Sequence, residues 1–258
     1  MTEMLAEILG LAEEAILLGA IVFLRVGAMM AILPAFGERS VPERVRLALA
    51  LAFTAIVAPA VSPEVTRALA EGIPPLAILG SEILVGLLLG LAIRLFVLAL
   101  QTAGAIAAQA TSLAQIFGNI IVDPQPAMAH VMILAGLAIA VILGLHVKVA
   151  EFVVLSYAMF PVGRLPGAPD VMGWGVGQTG RMFALAFTLA SPFVIVSLLY
   201  NLALGVINRA MPQLMVAFVG APAITLGALA LLAIALPFLL TAWIAAMDGF
   251  FADPFGGF

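Results

Sequence analysis

The chain has 258 residues, of which 65% are hydrophobic and only 9% charged, with a mean hydropathy of +1.26. A soluble domain carries about a quarter charged residues, so the composition is that of an integral membrane protein. The net charge of -4 gives no support for nucleic-acid binding, and the absence of cysteine excludes disulfides and thiolate metal sites.

The first residues are acidic (Glu3, Glu7) where a secretory signal would be basic, so the first apolar helix is expected to be retained. That apolar segment, residues 15–33, meets the ~20 residues needed to cross a bilayer. Arg25 sits inside it and Pro34 ends it. The connection 35–46 holds Glu38, Arg39, Glu43, Arg44 and Arg46, the densest charge in the chain, and reads as a solvated loop at a membrane face. Residues 47–61 are apolar but short, with Pro59 near the end, which predicts a half-crossing or assisted span. Residues 62–75 read as a polar turn.

Residues 76–100 form a third long apolar segment containing Glu82, Arg94 and the spacing Gly86-x-x-x-Gly90. Two glycines on one helix face let another backbone approach closely, so Gly86 and Gly90 are expected at a packing face. Glu82 and Arg94 lie about 120° apart around a helix and are not expected to pair with each other. An ionisable group at membrane depth costs at least ~2.5 kcal/mol. Arg25, Glu82 and Arg94 are therefore candidate buried-charge or assembly residues, each seeking a partner on another helix or subunit.

Residues 101–125, QTAGAIAAQATSLAQIFGNIIVDPQ, carry five amides and three hydroxyls but no Lys or Arg. Such a stretch is too polar for lipid and too apolar for a solvated loop. It belongs where backbone is buried in protein or lines an aqueous cavity. Asp123-Pro124 gives it a sharp stop.

Residues 127–160 are long for one span and are expected to break near Gly144. His146, Lys148 and Glu151 then mark a helix end leaving the membrane rather than a metal site. Residues 161–180 read as a Gly/Pro-rich loop. Within it Gly175-x-Gly177-x-x-Gly180 matches a dinucleotide motif, but a βαβ context is missing and a plain loop is the expectation. The run 182–207 crosses the membrane and ends in Asn208-Arg209-Ala210-Met211-Pro212-Gln213, a tight turn held against another surface through Arg209 and Gln213. A last run, 214–247, contains Pro222 and Pro237, expected to kink or divide it. The tail 248–258, with Phe250, Phe251, Phe255 and Phe258, is expected to be interfacial or flexible. No catalytic, cofactor or metal site is legible, and the whole chain is expected to form a single helical membrane domain. Basic residues are nearly balanced between the two sides of a six-span arrangement, so they do not set an orientation.

The segment LLYNLALGVINRAMPQLMVAFVGAP (198–222) resembles the signature of the FliR/SctT family, export-gate subunits of flagellar and related type III secretion systems. RVGAMMAILPAFGERSVPERVRLALAL (25–51), Glu82 with its GLLLG stretch and the polar segment ending in Val122-Asp123-Pro124 resemble further blocks of that family. The resemblance implies an all-α membrane protein of Pro-interrupted helical hairpins, nominally five or six apolar segments. It implies assembly with FliP/SctR and FliQ/SctS homologues into a helical-stepped pore, with an FlhB/SctU-type protein nearby, without cofactors and without enzymatic activity. Unfolded polypeptides would leave the cytoplasm through that pore. It also implies that the polar segment plugs the closed pore, with Gln115, Ile116, Phe117, Gly118, Asn119 and Ile120 as the plug. The competing reading is a secondary transporter with broken helices and a midplane site, which predicts matching broken segments in the two halves; none is evident.

Overall fold

A computed structural model describes residues 2–38, 41–111, 127–211 and 216–256, apart from the side chains of 2–8, 11 and 216–222. Its elements are α1 (Thr2–Ile32), α2 (Glu43–Ala70), α3 (Pro75–Thr111), α4 (Ala127–Ile142), α5 (Leu145–Met159), α6 (Ala168–Ala210) and α7 (Val216–Ala252). Among the described residues every element is a helix, and the protein is an all-α membrane protein. Among the described residues, five helices are long and apolar enough to cross a bilayer, or six spans if α4 and α5 together make one.

Helix α2 is longer than the sequence reading allowed. Pro42 precedes it and Glu43 stands in its first turn, both favourable at a helix start. It then runs through Pro59 and Pro63, each of which removes one backbone donor. The buried positions Phe53, Val57, Val61, Val65 and Ala68 keep their three-to-four spacing past both prolines. That continuous apolar face outweighs the lost hydrogen bonds, so the expected half-crossing helix and polar turn are one 28-residue helix. Gly72, at φ +67°, supplies the left-handed residue that ends it.

Three other expectations change. Residues 168–180 are not loop but the first turns of α6, and the Gly175–Gly180 motif lies within that helix. Helix α7 is not divided at Pro237. The tail is packed, not free: Phe255 stacks on Phe152 at 5.4 Å and meets Phe160 edge-on at 5.5 Å, while Phe251 meets Phe152 at 5.9 Å. The Trp174 indole N–H also donates to the Pro254 carbonyl, at 3.2 Å. The break between α4 and α5 falls at Gly144, at φ +83°.

The helices group into two units by their internal contacts. The first comprises Met1–Leu95, Val141–Gln178 and Phe251–Phe258. Its core joins Val22, Val26 and Met29 of α1 and Leu33 just after it with Val57 and Val61 of α2, Val85 and Leu89 of α3, and Phe152 of α5. The second comprises Phe96–Ala140 and Thr179–Phe250. It packs small residues of α3 (Ala99, Ala103, Ala107) and α6 (Ala186, Ala190) around Met132, Phe193 and Trp243. A Cβ at Gly104 would collide with the Ala129 backbone, so α3 and α4 are in near-backbone contact there.

In the second unit the Trp243 indole N–H donates to the Phe96 carbonyl, at 2.8 Å. Trp243→Phe removes that bond and part of a fully buried ring. The expected loss is about 1–3 kcal/mol, read as a lower melting temperature of the protein in detergent.

Candidate functional site: a buried arginine–glutamate centre

The first unit contains an ion pair closed off from solvent. Arg25 on α1 and Glu82 on α3 are both 0% exposed. Arg25 Nε donates to Glu82 Oε2 and Nη2 donates to Oε1, each at 2.8 Å. This parallel, two-bond geometry is the strongest that arginine and carboxylate can form. Helix α5 completes the centre. Nη1 donates to Ser156 Oγ at 2.9 Å, and Nη2 also donates to the Phe160 carbonyl at 2.8 Å. The guanidinium carbon lies 3.7 Å from the centroid of the Tyr157 ring, within cation–π range.

The surroundings explain why the sequence can bring these groups together. Gly86 lies one turn beyond Glu82, and a Cβ there would overlap the Arg25 carbonyl oxygen and come within 2.9 Å of the Ala28 Cβ. At Gly90 a Cβ would stand 2.6 Å from Ile32 Cγ1 and 2.8 Å from the Met29 carbonyl. Both glycines therefore face α1, and their missing side chains let it press onto α3. On the far side, Ser81 Oγ donates to the Ile78 carbonyl and accepts the Gly163 N–H at 3.0 Å. Gly163 holds φ +76°, which turns the chain after Phe160 back towards α3.

Removing two charges from water costs several kcal/mol each, and only close pairing with further hydrogen bonds offsets it. Here all three guanidinium nitrogens have acceptors. The centre ties α1, α3 and α5 together and presents no open face to a ligand.

Arg94 stands apart from this pair. Its Nη1 donates to the Ile32 carbonyl at 3.2 Å. Ile32 is the last residue of α1, so Arg94 caps the free carbonyl end of that helix, where a cation is favoured. Arg209 lies exposed in the last turn of α6. Gln213 and the segment Gln115, Ile116, Phe117, Gly118, Asn119 and Ile120 lie outside the described residues. His146 and Glu151 are exposed on α5. Among the described residues no three His, Asp or Glu side chains converge as metal ligands.

The sequence reading missed Ser156, Tyr157, Ser81 and Gly163. The available signal was the polar pair Ser156-Tyr157 followed by Phe160-Pro161-Val162-Gly163, a helix stop at membrane depth.

Residues 16–250 match the family model described as bacterial export proteins, family 1. The chain is 35% identical to the flagellar biosynthetic protein FliR of Caulobacter vibrioides over 231 residues, 87% of this chain and 90% of that protein. It is 29% identical to FliR of Escherichia coli over 221 residues, covering 84% and 83% of the two chains. With FliR of Bacillus subtilis the identity is 28% over 212 residues, covering 78% and 79%.

Proposed function

This chain belongs to the FliR family of bacterial export proteins, and from that premise we propose that it is a pore subunit of the flagellar protein-export gate. It is a multi-pass inner-membrane component of the flagellar export apparatus. In the proposed role it passes unfolded polypeptides out of the cytoplasm, within the basal body, and its contribution is structural rather than catalytic. Its proposed partners are FliP/SctR and FliQ/SctS homologues in one hetero-oligomeric pore, with an FlhB/SctU-type protein beside it. The observation that carries this reading is the family match over residues 16–250. The Arg25–Glu82 centre supports it from the other direction. A transporter needs a midplane site that a solute can reach, whereas this pair is covered and saturated.

The plug is the finer part of the proposal. Residues 110–122 combine amides and hydroxyls with Leu, Ile and Phe and carry no charge. A narrow protein-lined lumen suits both kinds of side chain, and an apolar constriction blocks ions by dewetting. Phe117 and Ile116 would fill the constriction, and Gln115 and Asn119 would bond the backbone of neighbouring subunits. Deleting residues 115–120 is expected to leave the complex assembled but conductive to small ions in planar bilayers, with Phe117→Ala giving a smaller leak. A deletion complex that assembles and stays as tight as wild type would remove the plug assignment.

A further inference from the structure

Within the second unit the end of α3 is held by a second helix. The last four carbonyls of a helix have no partners inside it, and α3 has no basic residue in its last turn to cover them. Hydroxyls do so instead. Thr111 Oγ1 donates between the Ala107 and Ala108 carbonyls, at 3.0 and 3.2 Å. Ser197 Oγ, on α6, donates to the Ala110 carbonyl. Ser197 is 5% exposed, so this bond is shielded from water. Helix serines and threonines that do not face solvent ordinarily bond back to their own turn. On α6 itself Thr188 and Ser191 do so, to the Ala184 and Thr188 carbonyls at 2.8 Å each. Ser197 instead crosses to a helix 87 residues away in sequence. Asn201, one turn further along α6, aims it there. Asn201 Nδ2 donates to Ser197 Oγ at 3.3 Å, which occupies a lone pair of the hydroxyl and leaves its proton for α3. Asn201 Oδ1 is covered and has no donor among the described residues. A covered acceptor without a donor costs the fold stability, so leucine would suit this position of an apolar helix better. What the asparagine contributes is the orientation of Ser197.

We propose that Ser197 and Asn201 are positioning residues that anchor the root of the plug. Residues 115–120 follow just beyond the end of α3 in sequence, and the proposal rests on their assignment as the plug. Holding the Ala110 carbonyl against α6 fixes the point at which the chain leaves α3. That limits the positions open to the residues that follow. An apolar constriction blocks ions by dewetting only while its apolar side chains stay in place, so a loosened root makes a leaky plug.

The test is small-ion conductance of the purified hetero-oligomeric complex in planar bilayers, with thermal melts of the same preparations. Ser197→Ala is expected to raise the leak about fivefold over wild type, the equilibrium equivalent of one net hydrogen bond, and to stay below the leak of the 115–120 deletion. Ser191→Ala loses a bond only to its own turn and should leave the leak unchanged. Asn201→Leu should raise the leak as Ser197→Ala does, yet melt at or above the wild-type temperature. A leak from Asn201→Leu that comes with a lower melting temperature is a loss of fold and overturns the proposal. A leaky 115–120 deletion beside tight Ser197→Ala and Asn201→Leu complexes overturns the anchor and spares the plug, whereas a tight deletion overturns both. Where Ser197→Ala fails to assemble, Asn201→Leu decides alone: a stable, leaky complex upholds the anchor and a tight one overturns it.

Discussion

Replacing Glu82 with alanine is expected to destabilise the protein by about 3–5 kcal/mol, the usual consequence of leaving a buried charge without its partner. Arg25 is fully covered, and both of its bonds to Glu82 are 2.8 Å long. Without the carboxylate, the guanidinium keeps only Ser156 Oγ, the Phe160 carbonyl and the Tyr157 ring face. Those neutral groups do not balance a desolvated cation. The variant should accumulate poorly in membranes and melt well below wild type in detergent. The charge itself is not needed for packing, so the double variant Arg25→Met, Glu82→Leu should recover most of the loss. If Glu82→Ala melts like wild type, the centre does not hold the helices together. If the double variant is as poor as the single one, the packing rather than the unpaired charge is at fault.

Gly86→Ala should be nearly as damaging, although it adds one methyl group. The obstacle is the Arg25 carbonyl, a backbone atom that no rotamer change can move. Helices α1 and α3 must separate, which loosens the arginine's reach to Glu82 as well. Overpacking costs about 1–3 kcal/mol in ordinary cores, and the coupling to the ion pair places Gly86→Ala at or above the upper end. Gly80 lies on the same helix with nothing within 4 Å of its would-be Cβ. Gly80→Ala should therefore be neutral, or stabilising by up to about 1 kcal/mol through helix propensity. Thermal melts of the two variants side by side separate steric exclusion from any general effect of glycine in α3. Equal behaviour of the two would contradict the close approach at Gly86.

Much of this architecture is readable from the sequence, because lipid imposes a simple rule. Helices must satisfy their own backbone groups, and apolar runs mark where they do so. The helical class and five or six membrane segments follow from hydropathy, and helix geometry alone keeps Glu82 from Arg94. What hydropathy cannot supply is the identity of the partner. Glu82 and Arg25 are 57 residues apart in sequence, and several cations were available. Local rules also misplace helix ends here. Pro59 and Pro63 look like a stop, yet the buried face of α2 continues through them; Gly175, Gly177 and Gly180 look like a loop, yet they lie in α6. In α2 the continuous buried face overrides the local preference of its prolines. The C-terminal phenylalanines read as a loose tail because sequence does not reveal that Phe152 and Phe160 wait for them.

The most direct test of the proposed function is purification of the tagged full-length chain from its native membranes in mild detergent, with every co-purifying subunit identified by mass spectrometry. The expected result is a defined hetero-oligomer containing FliP and FliQ homologues, recovered in fixed ratio and lost in Glu82→Ala. Recovery of wild-type protein only as a monomer or a homo-oligomer would contradict the export-gate assignment.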